Sequence, residues 1–408
     1  FSQLKFKAGY GKTGNDRIPG DARFEFLTDS NSNYFFNNQI EQGQRPTSFG
    51  ANPNLFWETT EQVNVGLDAG FFDGRLSIAV EAYQKDTKDL LINADAALSQ
   101  GYSSIWINSG QVRNRGLEIG INTTNISTKD FKWTSDFNIS FNQNTIKSLP
   151  DNKPIFGRPN YYRLLSTNQF IVEKGKPLGN MYGYVSDGVY QIADFENYDA
   201  TSATHTLNAG QSFYGSHQPG DEKYKDLNGD GEITSADKTI IGNGLPVHFG
   251  GLGNTITYKN FELSAFLQWS YGNDILNANR LVFENMERAN QNQLATTLNR
   301  WTPENQNTTM HRAGGQGFED ISSRVIEDGS YLRLKTVNFS YNFSKDVLDK
   351  YQISKLKIYF AAQNLFTWTN YSGFDPDVSV VNSLIMPGVD YSGDPIHKIM
   401  SLGLNISF

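Results

Sequence analysis

The chain has 408 residues, a net charge of −8 and a pI near 5.3, with 38% hydrophobic, 19% charged and 13% aromatic residues and a mean hydropathy of −0.50. The acidic balance and the lack of a basic cluster exclude a nucleic-acid partner, and the absence of cysteine excludes disulfides and thiolate metal sites. No run of about 18 apolar residues occurs, which excludes a transmembrane helix but not a β-barrel, whose strands alternate and leave no hydropathy peak.

The polarity comes mainly from Asn, Ser, Thr, Gln and Gly, so strands and loops are favoured over charged helices. The sequence opens on a strand-like segment without a basic and apolar leader, as a mature or truncated chain would. Alternation at period two predicts roughly ten strands: Leu4 to Tyr10, Glu61 to Phe71, Arg75 to Lys85, Asn114 to Thr124, Phe131 to Gln143, Gly250 to Tyr258, Phe261 to Tyr271, Tyr331 to Phe343, Lys355 to Leu365 and Lys398 to Phe408. In the fifth, Phe131, Trp133, Phe137, Ile139 and Phe141 share one face, against Asp136, Asn138, Ser140 and Asn142. In the last, Met400, Leu402, Leu404, Ile406 and Phe408 oppose Ser401, Gly403, Asn405 and Ser407. Such a face meets either a protein core, as in a secreted β-sandwich adhesin or carbohydrate-binding module, or lipid, as in a barrel.

The connections choose between these. Short ones at 72–74, 125–130, 259–260 and 344–354 alternate with long ones at 11–60, 86–113, 144–249, 272–330 and 366–397. All the long connections therefore fall at one end of the strands, as in an outer-membrane barrel with periplasmic turns and long extracellular loops. Aromatics near strand ends (Phe71 and Phe72, Phe131 and Trp133, Trp269 and Tyr271, Phe366 and Trp368) suit interfacial girdles. The expected architecture is all-β, one domain over 1–408, in a transmembrane antiparallel barrel of the outer membrane.

Within the longest loop, 144–249, residues 226–237 fit the calcium loop of the EF-hand type. Asp226, Asn228 and Asp230 offer side-chain oxygens at positions 1, 3 and 5, Glu232 its carbonyl at 7, Thr234 a water-mediated contact at 9 and Asp237 a carboxylate at 12, with Gly231 at the sharp turn. Asp rather than Glu at the last position reaches less far. The expected cofactor is structural Ca2+, with Mg2+ or a metal-free acidic turn as alternatives. A dockerin-like module shares the pattern but pairs two such loops, and only one occurs in this sequence.

Several ordered segments resemble the SusC/RagA-type TonB-dependent outer-membrane transporters: 4–15 (LKFKAGYGKTGN), 52–60 (NPNLFWETT), 112–118 (VRNRGLE), 179–184 (GNMYGY) and 363–368 (QNLFTW), with Gly272-Asn273-Asp274 and Phe408. The resemblance implies a barrel of about 22 strands, of which these are the C-terminal ten, completed by a missing N-terminal barrel and plug portion. It also implies coupling to TonB through that portion, a SusD-like lipoprotein partner, import of oligosaccharides or peptides, and an assembly signal in the terminal aromatic of the last strand.

No enzyme constellation is found: His205, His217, His248, His311 and His397 lack metal-type spacing, Gly250-Gly251-Leu252-Gly253 opens a strand rather than a helix, and Asp375 and Asp377 flank Pro376 as a solvated turn would. Trp106, Tyr161, Tyr162, Tyr214 and Trp301 are the candidate ligand contacts, suited to stacking on a glycan or peptide.

Overall fold

The computed structural model describes the chain except residues 19, 21, 25–26, 47–48, 97–98, 100, 160–166, 197, 200, 202–204, 213–216, 288–289 and 316–320. Its main element is a ten-stranded antiparallel sheet in strict chain order. The strands are β1 (Gln3–Asn15), β2 (Glu58–Phe71), β3 (Leu76–Lys88), β4 (Gln111–Ser127), β5 (Phe131–Ser148), β6 (His248–Tyr258), β7 (Phe261–Tyr271), β8 (Tyr331–Asn342), β9 (Lys355–Thr369) and β10 (Ile399–Ser407). Every expected strand is present. Among the described residues β1 pairs with β2 and β10 with β9 but not with each other, so the sheet is an open wall with two free edges.

The registers carry one set of apolar positions across the wall. Phe6, Leu67, Val80, Ile119, Ile139, Gly250, Trp269 and Leu332 form a single cross-strand row, and Phe137, Leu252 and Leu267 continue the row beside it. Ile358, Phe360 and Ala362 oppose Leu404, Leu402 and Met400 at the far edge. Among the described residues no second layer covers this face: Leu402 is 80% exposed and Phe6 76%. A sandwich would bury it against a second sheet, so that alternative fails and the face is lipid-facing. Rings cluster at both margins of the belt, with Phe261 against Phe339 and Tyr341 at the short-turn end, and His248 against Phe141 and Tyr271 at the other.

The strands run further toward the long loops than alternation predicts: β1 to Asn15, β5 to Ser148 and β9 to Thr369. Their ends leave the apolar zone, so hydrophobic alternation no longer marks them. Register shifts between Phe266 and Leu267, and between Leu334 and Thr336, were equally invisible in the sequence.

The long connections fold on one another. Phe170 and Met181 from 149–247, Leu276, Leu281, Val282, Ile321 and Val325 from 272–330, and Val389 from 370–398 form one buried core. Each such side chain contributes on the order of 1.5–3 kcal/mol, enough to make the three loops one body.

Candidate functional site

The face opposite the apolar belt is polar and looks into the lumen. Asn64 Nδ2 donates to Glu81 Oε1 at 3.2 Å, Tyr83 Oη to Asn142 Oδ1 at 3.1 Å, and Lys7 pairs with Asp68 at 2.7 Å. Two tyrosine rings lie flat along this wall over glycines of the neighbouring strand, Tyr83 over Gly116 and Tyr359 over Gly403. A Cβ at either glycine would sit 2.3 Å or 2.2 Å from the ring, so glycine is required by close approach. Amides, hydroxyls and paired charges make a wet surface suited to a polar solute.

Above the wall, the loop body is tied by a buried ionic network. Glu284 is fully buried and takes Arg280 Nε at 3.2 Å, Arg324 Nη1 at 2.5 Å and Thr296 Oγ1 at 2.7 Å. Burial opposes its ionisation, but Arg280 and Arg324 outweigh burial and hold the carboxyl below the usual range. The network reaches the neighbouring loops: Glu222 of 149–247 accepts from Ser322 Oγ, and Glu327 accepts from Arg280 Nη1 and from Ser372 of 370–398. Arg280 and Glu284 stand at i and i+4, the only local signal in the sequence. The other partners are far apart along the chain, and sequence reasoning missed them. It also misplaced Asp375. Rather than a solvated turn residue, Asp375 is buried and paired at 2.5 Å with Arg333, itself 1% exposed. A guanidinium buried on the lumen side of β8 needs a carboxylate close by.

The acidic loop 226–237 is tightly wound. Asp226 accepts from Gly229 N at 2.6 Å, Gly231 N at 2.8 Å and Ser212 Oγ at 2.9 Å, and the Gly231 amide above all holds its carboxyl below the usual range. Gly231 has φ +86°, the left-handed conformation expected at that position. Fully buried Asp237 accepts from Leu227 N at 2.9 Å and Thr234 N at 2.8 Å, closing the loop on itself. Between them Ile233 is buried with Tyr184 and Tyr224, whose rings stack at 4.7 Å. Asn228 and Asp230 are exposed, with Asn228 Nδ2 donating to Asp230 Oδ2 at 2.9 Å. Among the described residues no three His, Cys, Asp or Glu side chains converge as a metal-holding group. The donor set of the motif is a different one, since an amide and a main-chain carbonyl complete it.

Of the candidate ligand contacts, Trp106 and Trp301 lie among the described residues. Trp301 is 5% exposed, its indole N–H donates to Gln191 Oε1 at 3.1 Å and its ring lies against Gly220, so it is a packing residue inside the loop body and not a ligand contact. Trp106 is half-buried in the strand Ser104–Asn108, and its carbonyl accepts from Asn52 Nδ2 at 2.8 Å. Tyr161, Tyr162 and Tyr214 lie outside the described residues.

Residues 2–365 match the family model for the TonB dependent receptor-like β-barrel. The chain is 36% identical over 412 residues to TonB-dependent receptor P3 of Formosa agariphila, covering 99% of this chain and 39% of that protein. It is 29% identical over 423 residues to TonB-dependent receptor SusC of Bacteroides thetaiotaomicron, covering 100% of this chain and 38% of that protein. Its structure is similar to a chain in the solved RagAB peptide transporter, with TM-score 0.76 and 26% identity, over 100% of this chain and 41% of that one. The chain thus spans about two fifths of the length of these relatives.

Proposed function

The chain belongs to the family of TonB-dependent receptor β-barrels of the outer membrane, and we propose that it supplies the C-terminal part of the wall and the extracellular loops of a nutrient importer. The observation that carries this reading is the two-faced wall: one unbroken apolar belt against one amide-rich lumen face, with three long loops fused over the same end. A wet passage through lipid, roofed by a loop body, handles polar solutes rather than apolar ones.

The free edges of β1 and β10 pair with the N-terminal strands of the same receptor, because unpaired backbone groups in lipid cost several kcal/mol each. That N-terminal portion also brings the plug and the contact with TonB. The cargo is an oligosaccharide or a peptide, and the loop body meets a SusD-like surface lipoprotein. The similarity to SusC and to the RagAB peptide transporter supports this class of import. The test is uptake of labelled oligosaccharide and oligopeptide pools by cells expressing the full-length receptor, with and without a protonophore. Energised uptake of one pool is expected; absence of uptake from both pools overturns the reading.

The loop 226–237 takes a structural divalent cation, calcium before magnesium, held by Asp226, Asn228, Asp230, the Glu232 carbonyl and Asp237. Its winding and the exposed Asn228 and Asp230 oxygens support the assignment. The cation would offset the clustered negative charge and clip the long loop closed. Chelator should speed proteolysis within this loop and added calcium should restore protection; cleavage unchanged by both overturns the assignment.

A further inference from the structure

The outward side chains change chemistry over two register rows at the loop end of the wall. Ala8, Val65, Ala82, Leu117 and Phe141 form an apolar row; the next is Tyr10, Val63, Gln84, Arg115 and Gln143; the one after is Lys12, Glu61, Asp86 and Arg113. Hydrocarbon ends where the apolar rows end, so these last two rows stand at the headgroups of the outer leaflet. They are a built rim. Arg113 Nε meets Asp86 at 2.7 Å, Lys88 meets Glu61 at 2.8 Å and Lys12 meets Glu61 at 3.8 Å. Among the described residues of these outward rows, Lys12, Lys88, Arg113 and Arg115 stand against Glu61 and Asp86, which leaves positive charge over.

Arg115 carries that surplus. Its described partner is neutral, Gln84 Oε1 at 2.8 Å from Nε. It also lines a cavity of about 820 Å3 between wall and loop body, with Leu117, Phe141 and Gln143 of the same outward set, Asn142 and Asn144 of the opposite face and Pro177 of the loop body; among the described residues no carboxylate lines it. The Arg115 side chain, in an outward row at headgroup depth beside apolar Leu117 and Phe141, fits an amphiphile with an anionic head rather than a transported solute.

We propose that this rim binds a phosphorylated glycolipid of the outer leaflet, with the Arg115 guanidinium on a headgroup phosphate and the lipid's apolar part against Leu117 and Phe141. Guanidinium suits phosphate because two N–H groups can donate in parallel. Arg115, Leu117 and Phe141 belong to the outward rows, so the proposal stands apart from the identity of the cargo.

The test uses the full-length receptor reconstituted with diphosphorylated lipid A or with the same lipid dephosphorylated, reading lipid retained per barrel by native mass spectrometry. Wild type should retain the phosphorylated lipid about tenfold better, the worth of a charge-assisted hydrogen bond. Arg115→Gln should lose that preference, Arg115→Lys keep part of it, and Lys129→Gln in the turn at the opposite end keep all of it. Equal retention of both lipids by wild type overturns the proposal, and that comparison needs no variant to fold. Undiminished preference in Arg115→Gln overturns it too. So does loss of cargo uptake in that variant with lipid retention unchanged, which would assign the cavity to transport.

Discussion

Glu284→Gln is the sharpest probe of the loop body. The wild-type carboxylate is fully buried and meets Arg280, Arg324 and Thr296, while Arg324 is 10% exposed and Arg280 22%. The amide removes the charge and points either an N–H₂ group or a single oxygen at two guanidinium groups. Removing one partner of a buried pair costs about 3–5 kcal/mol, mostly the penalty of the charge left behind. Arg280 retains Glu327 at 3.2 Å and partial access to water, so the lower end, about 3 kcal/mol, is expected. At about 1.4 kcal/mol per tenfold, local opening rises roughly a hundredfold. Amide hydrogen exchange of the detergent-solubilised receptor reads this directly, in Ala278–Phe283 and Ser323–Val325, with the exposed Glu304→Gln as control. Exchange should accelerate in both segments while the wall strands stay protected. Unchanged protection there would show that the network contributes nothing net and refute the reasoning.

Other outcomes follow from the same structure. Val80→Arg places a charge in the middle of the apolar belt and should cost about 2–4 kcal/mol in barrel stability, whereas Thr255→Arg on the lumen face should cost little; equal effects in urea-driven unfolding would deny that the two faces differ in solvent. His217 is buried against the Tyr190 ring, and burial lowers its pKa to about 4. Its unfolded state therefore binds the proton first, so stability of this loop region should fall as pH drops from about 6.5 to about 4, by up to about 3 kcal/mol, and change no further below that. His217→Phe should flatten that profile in hydrogen exchange, and a profile identical to wild type would exclude the residue as its source. Asp237→Ala leaves the N–H groups of Leu227 and Thr234 without their buried acceptor and should loosen the loop even with calcium saturating; proteolysis at the wild-type rate would contradict that.

The wall was legible from the sequence because lipid and water impose opposite chemistry on adjacent residues. Phe137, Ile139 and Phe141 alternate with Asn138, Ser140 and Asn142 for that reason, and the long and short connections then place the loops. The same rule explains where the reading stopped. Beyond Tyr10 and Leu117 the outward residues are Lys12, Arg115 and Arg113, both faces are wet, and alternation no longer reports a strand that continues. The loop body was out of reach for a different reason. Glu222 meets Ser322, Arg333 meets Asp375 and Leu276 lies beside Val389, contacts between segments with no periodicity and no fixed spacing. Trp301 shows the consequence: as an aromatic in a polar loop it reads as a ligand contact, and only the packing of Gly220 and Gln191 around it makes it core. Sequence alone determined which residues face lipid, since that is decided strand by strand. Which loop residues are buried, charged or free to meet a solute depends on three connections folding together, and only the tertiary structure decided it.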